Sequence, residues 1–180
     1  MKQTRPTAHP CTWGFCAKID DKPTDLPLRG GCIPVEWRGV VEGGAPYLDG
    51  PMTEEREAEL RDRVLAAHGR RGAGSVMRQI ALCADVREGD RVVWHNARGG
   101  TVAFGRVTGE AWTYAEGEPL PLRRAVEWVA EVPKGALADR KYAMRIAPAC
   151  TIRRVTGEAE RAAIEAINSK AGGTDGRTAE

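Results

Sequence analysis

The chain has 180 residues, a mass of 19.5 kDa and 42% hydrophobic, 29% charged and 6% aromatic residues, a composition that fits one folded domain with tails. No apolar run approaches the roughly 20 residues needed to cross a bilayer, and no apolar stretch of a signal peptide follows Lys2 and Arg5, so the expectation is a cytoplasmic protein with no membrane partner. A net charge of +2 and a pI near 8.3 neither demand nor exclude a polyanion, because local patches matter more than the sum. Five cysteines without an export signal argue against a disulfide framework.

In chain order, residues 1–11 read as a loose polar lead-in. Cys11 to Ile19 alternates as a strand and Asp20 to Arg29 is a turn-rich loop. Gly30-Gly31 opens a second strand, Cys32 to Trp37, in which Pro34 lacks an N–H and belongs at an edge or a bulge. The glycine-rich stretch Arg38 to Met52 is loop-like. Thr53 then caps a helix from Glu54 to His68, with Leu60, Val64 and Ala67 on its apolar face and Gly69 to close it. Arg70 to Gly74 reads as a basic loop, and Ser75 as the cap of a second helix, Val76 to Ala84, burying Val76, Ile80 and Cys83.

The next stretch has strong strand character. Arg91 to His95 and Thr101 to Val107 flank a turn at Asn96 to Gly100, an aromatic-bearing segment follows, and Arg124 to Val132 is a further strand. Pro133 to Lys141 reads as a loop or a short turn of helix, Tyr142 to Ala147 as a connection, Ala149 to Val155 as the last strand and Glu158 to Ile167 as a closing helix. Residues 168–180 have the composition of a disordered tail. The order predicts a mixed α+β domain over residues 12–167 whose sheet is barrel-like.

Catalytic patterns are missing. Gly43-Gly44 and Gly99-Gly100 fit turns rather than a phosphate loop, there is no Gly-x-Ser-x-Gly elbow, and His9, His68 and His95 have no triad or metal spacing. A zinc site drawn through His9, Cys11, Cys16 and Cys32 lacks a close Cys-x-x-Cys pair. Asp20-Asp21-Lys22 has the composition of a metal-dependent nuclease site but reads better as a solvated loop. The chain is therefore expected to be no enzyme, with no metal and no cofactor.

Five tryptophans stand against two phenylalanines and three tyrosines. Trp94, in step with Val92, and Trp128, in step with Val126, fit the core. Trp37 ends its strand between Glu36 and Arg38, and Trp112 lies with Tyr114 in a polar segment. Aromatic faces beside basic residues are what proteins use to stack an unpaired or flipped base. Arg70, Arg71 and Arg78 near the second helix, and Arg98 in the hairpin turn, are the candidate phosphate contacts.

The residues Trp13-Gly14-Phe15, Gly30 to Trp37, Glu88-Gly89-Asp90-Arg91-Val92-Val93, Ala103 to Gly109 and Arg123 to Trp128, with Val132-Pro133 after them, form a pattern. It resembles the N-terminal domain of Mrr-type restriction proteins, a relative of the EVE and YTH domains in the PUA-like superfamily. The resemblance spans about residues 12–167 and is most specific from Gly89 to Trp128. It implies a PUA-like curled β-barrel flanked by helices, and a reader that holds a flipped, modified base of DNA or RNA in an aromatic pocket.

By position, the resemblance makes Trp13 and Trp37 pocket walls, places Ser75 and Gln79 near the base edge and leaves Trp128 structural. Trp112 joins the candidate pocket on its own sequence context. No nuclease domain follows the barrel here, so an effector such as a nuclease would be a separate partner, and a link to restriction, defence or phage biology is expected. The alternatives are a protein-interaction module that keeps the fold without base binding, and a catalytic subunit acting through Asp20 and Asp21.

Overall fold

The computed structural model describes residues 10–19, 22–37, 40, 48, 53–136 and 152–171. In chain order the elements are β1 (Thr12–Phe15), β2 (Lys18–Ile19), β3 (Lys22–Pro23), α1 (Leu26–Gly30), β4 (Cys32–Val35), α2 (Glu54–Ala84), β5 (Arg91–Asn96), β6 (Thr101–Val107), β7 (Thr113–Tyr114), β8 (Leu122–Pro133), β9 (Ile152–Val155) and α3 (Glu158–Ala171). Six strands follow the order β4–β8–β6–β5–β1–β9, β7 pairs with β8, and β2 and β3 form a separate hairpin. The sheet is strongly curled and flanked by helices, which makes the domain mixed α+β with a barrel-like sheet.

Pairing is antiparallel throughout this sheet except between β1 and β5, which run parallel with Trp13 opposite Val92 and Phe15 opposite Trp94. Strand periodicity gives the sheet two buried faces. One carries Trp13, Phe15, Val92, Trp94, Ala103 and Ile152 into the main core, which also takes Leu60, Val64, Ile80 and Cys83 of α2. The other carries Val93, Val102, Phe104 and Val155, covered by Ala163 and Ile167 of α3. Within the main core Phe15, Trp94 and Trp128 form a triangle of rings with centroids 6.1 to 6.3 Å apart. The indole N–H of Trp128 donates to the Pro27 carbonyl of α1 at 2.8 Å.

Pro34 lies in β4, the edge strand, as its missing N–H requires. Other expectations are corrected. The first strand stops at Phe15, and the expected loop from Asp20 to Arg29 contains β3 and most of α1, which starts behind Asp25 with a proline in its first turn. Arg70 to Gly74 is helical: α2 runs from Glu54 to Ala84 with one break at Gly69, whose φ of 65° and ψ of 173° are non-helical. Burial of Ala73 and Ile80 outweighs the poor helix propensity of Gly72 and Gly74. Ser75 consequently sits inside the helix and caps nothing, and Ala67 is exposed. The closing helix continues to Ala171, four residues past its expected end at Ile167. The expected lead-in before Pro10, the Tyr142 to Ala147 connection and residues 172–180 lie outside the described residues, as do Asp20 and Asp21 and nearly all of Arg38 to Met52.

The curl is accommodated at one irregularity. Phe104 pairs with Ala130 but Gly105 pairs with Trp128, so Val129 is an extra residue on β8. Gly105 is needed there because a Cβ would lie 2.6 Å from the Glu127 carbonyl oxygen and 2.8 Å from a Val126 methyl. Gly105→Ala is expected to lower stability by about 1–3 kcal/mol, read as a lower urea midpoint with an unchanged slope.

Candidate functional site

The tryptophans expected to form a base pocket gather in one core. Trp13, Trp37 and Trp112 are 2%, 6% and 4% exposed. Trp13 donates its indole N–H to Oδ2 of Asp90 at 2.7 Å, and Trp112 donates its own to the Cys83 carbonyl at 3.2 Å. A stacking platform needs an open ring face, and these two rings are enclosed with their polar edges bonded inward. Trp13, expected as a pocket wall, and Trp112, expected in the pocket, are therefore core anchors in this structure, Trp112 fastening the segment before β7 to the end of α2. Gln79 is likewise structural: its Oε1 accepts the Ile152 backbone N–H at 2.7 Å, joining α2 to β9.

Trp37 is buried in the same core and differs from these two in its place along the chain. It lies two residues beyond the end of β4, in phase with Ile33 and Val35, where the chain enters residues 38–52. Across from β4, Leu122, Arg124 and Val126 of β8 are buried in alternation, with Arg124 opposite Ile33. Arg124 is 4% exposed, an unusual setting for a guanidinium. Sequence reasoning missed it because Arg123-Arg124 looks like a pair of surface charges. The signal was the register, since only Arg124 shares the phase of Leu122 and Val126.

Ser75, Arg70, Arg71 and Arg78 are exposed on α2 after its break, and Arg98 is exposed in the β5–β6 turn. The structure thus brings Arg70, Arg71 and Arg78 onto one helix and leaves Arg98 on a different element. Ser75 and Gln79 are one helical turn apart, the first exposed and the second buried.

The second missed residue is Asp90. Its Oδ1 accepts the Cys11 N–H at 2.8 Å, and its Oδ2 accepts both the Trp13 indole N–H and the Arg87 N–H at 2.9 Å. Gly89, with φ 82°, makes the turn that aims this carboxylate inward, and its N–H donates to the Val107 carbonyl. The Gly89-Asp90 pair is thus a structural device: the glycine supplies the left-handed turn and the aspartate ties it to β1.

A cavity of about 50 Å³ lies beside Phe15, Cys16, Lys18, Thr24, Trp94 and His95. It suits ordered water rather than a base. The Nε2 of His95 is buried with no hydrogen-bond partner among the described residues. Burial, and then the nearby Lys134 charge, hold this imidazole below its ordinary value of 6.5. Burial likewise pushes the Cys83 thiol far up, and pushes Cys32 up against a smaller opposing effect of Arg123. In comparisons with protein families, with curated proteins and with solved structures, nothing matches this chain.

Two measurements follow from these contacts. Asp90→Ala leaves the buried Cys11 and Trp13 donors without an acceptor, and is expected to lower stability by about 3 kcal/mol or more, since each stranded donor costs roughly 1–3 kcal/mol. Unfolding by urea checks this, with Trp13→Phe weaker because it removes the donor together with part of the ring. For His95 the folded value is depressed, so the unfolded chain binds more protons as the pH falls through the unfolded value. The stability tied to a neutral His95 is present above about 6.5 and is lost below it. His95→Gln should flatten the fall in melting temperature between about pH 7 and pH 5.

Proposed function

We propose that this domain is a nucleic-acid reader, non-enzymatic in itself, that accommodates a flipped and modified base at the β4–β8 end of its curled sheet. One observation carries the reading: Trp37, two residues past β4, and Arg124 of β8 follow one phase across that strand pair, and because they are 6% and 4% exposed a base must displace part of the packing over them to reach them. A ring supplies stacking to any base, and a guanidinium supplies paired donors to acceptors on a base edge. The resemblance of the Gly89 to Trp128 segment to PUA-like readers points the same way, and that segment forms the contiguous strands β5, β6 and β8. Arg70, Arg71, Arg78 and Arg98, all exposed, are the residues assigned to phosphates.

Stacking contributes roughly 1–3 kcal/mol per base, comparable to a flipping cost of a few kcal/mol. Unmodified duplex should therefore bind weakly, and discrimination should come from the base edge. In a panel of duplexes with and without modified cytosines, one modified duplex is expected to bind at least about tenfold more tightly, and Trp37→Ala to remove about that factor. Arg124→Met, which keeps the aliphatic stem, should level the panel. Each exposed arginine changed to glutamine should weaken all duplexes alike and reduce the salt slope by about one. Equal binding across the panel, or none, would sink the reading, provided each variant melts as a folded protein.

A further inference from the structure

The break at Gly69 sets the two halves of α2 against each other, and between them lies an apolar groove of about 470 Å³. Leu60 and Leu65 line it from the first half; Ala73, Met77 and Ala81 line it from the second. Leu65, 37% exposed, is the exposed large hydrophobic side chain of the described residues. The volume falls in the range of roughly 300–1,000 Å³ typical of ligand sites. None of the walls is aromatic, so an unpaired base entering it would find no ring to stack on.

The two walls differ in charge: the first half carries five carboxylates against three arginines and contributes Glu57 and Arg61 to the groove, whereas the second half is basic. In the first half Arg61 and Arg63 are paired to Glu57 and Glu59 at 3.0 and 2.8 Å. After Gly69 the helix carries Arg70, Arg71 and Arg78 and no carboxylate before Asp85. Arg78 is itself part of the groove wall.

We propose that this groove is a docking site for an acidic amphipathic segment of a partner protein. Its bulky apolar side chains lie against Leu65 and Met77, and its carboxylates face Arg78, Arg70 and Arg71. This is the helix-in-groove mode, in which apolar anchors supply affinity and flanking charge supplies orientation. Met77 suits it, since an unbranched thioether repacks around different anchors. The groove uses neither Trp37 nor Arg124 and does not rest on the base-reading proposal, but it shares Arg70, Arg71 and Arg78 with the phosphate contacts proposed above, so an acidic segment and a nucleic acid would compete for them.

Gly74 gives a clean test. It lines the groove, is exposed, and a Cβ built on it meets nothing within 4 Å. The Cβ of Gly74→Phe thus meets no atom, its ring is expected to occupy the groove, and removing a helix glycine favours the helix. A random-peptide display library is selected on the protein and counter-selected on Gly74→Phe. The peptides that survive are expected to carry Asp or Glu with Leu, Ile or Phe at helical spacing. They should lose roughly tenfold or more in affinity for Gly74→Phe and for Arg78→Glu, while both variants melt no lower than the parent. Survivors without carboxylates, or no survivors, would overturn the proposal. So would a single-stranded oligonucleotide that loses affinity for Gly74→Phe as strongly as the peptides do, since the groove would then be a nucleic-acid surface.

Discussion

The Asp90 carboxylate is the interaction on which the rest of the sheet depends. Among the described residues β1 and β5 are the one parallel pair of an otherwise antiparallel sheet, and they are separated in sequence by β2, β3, α1, β4 and α2. Closing so long a connection is entropically costly and needs specific contacts where the strands begin. Asp90 supplies them: its side chain extends the ladder by accepting the Cys11 N–H, while Arg91 N–H donates to the Cys11 carbonyl at 2.8 Å. The Asp90 carbonyl also accepts the Val107 N–H, so β6 is held to the same residue. Arg91 extends the tie outward, reaching the Thr12 hydroxyl, the Pro10 carbonyl and Glu160 of α3. Two consecutive residues thereby connect both faces of the sheet.

That arrangement bears on where binding chemistry can sit. A ring whose N–H is bonded to a buried carboxylate cannot turn toward a ligand without breaking that bond and exposing the charge's former partner. Trp13 is fixed in this way and Trp112 by its bond to the buried Cys83 carbonyl, whereas Trp37 lies just past a strand end. The candidate site thus moves away from the parallel pair and toward the opposite edge of the sheet. There β8 changes neighbours, its first residues pairing with β4 and β7 and its later ones with β6.

The strands from Arg91 to Val107 were legible almost residue for residue, because period-two alternation and a glycine-rich turn specify a hairpin locally. Pro34 limited β4 to an edge or a bulge, and it is at an edge, while Gly69 marked the place where α2 breaks. What failed to read had distant causes. Arg70 to Gly74 has loop composition, yet the burial of Ala73 and Ile80 carries it into a helix. A tryptophan's type does not reveal whether its N–H will meet an acceptor, and the partner of Trp13 lies 77 residues away in sequence. The same distance hid the structural role of Asp90. Arg124 was hidden by its neighbour: only the register against β4 separates a buried arginine from a half-buried one.

Pro34 has a consequence for how this domain can associate with others. An open sheet edge normally offers a row of N–H and C=O groups on which a foreign strand can grow, the route to domain swapping and fibrils. β4 has only four residues, with a missing donor in its middle, and β9 at the other edge is equally short and carries Arg153 and Arg154. Neither edge is a good template for an added strand. Association through an added strand is thus disfavoured at both described edges, and self-templating along the sheet is discouraged by the same proline that marks its border.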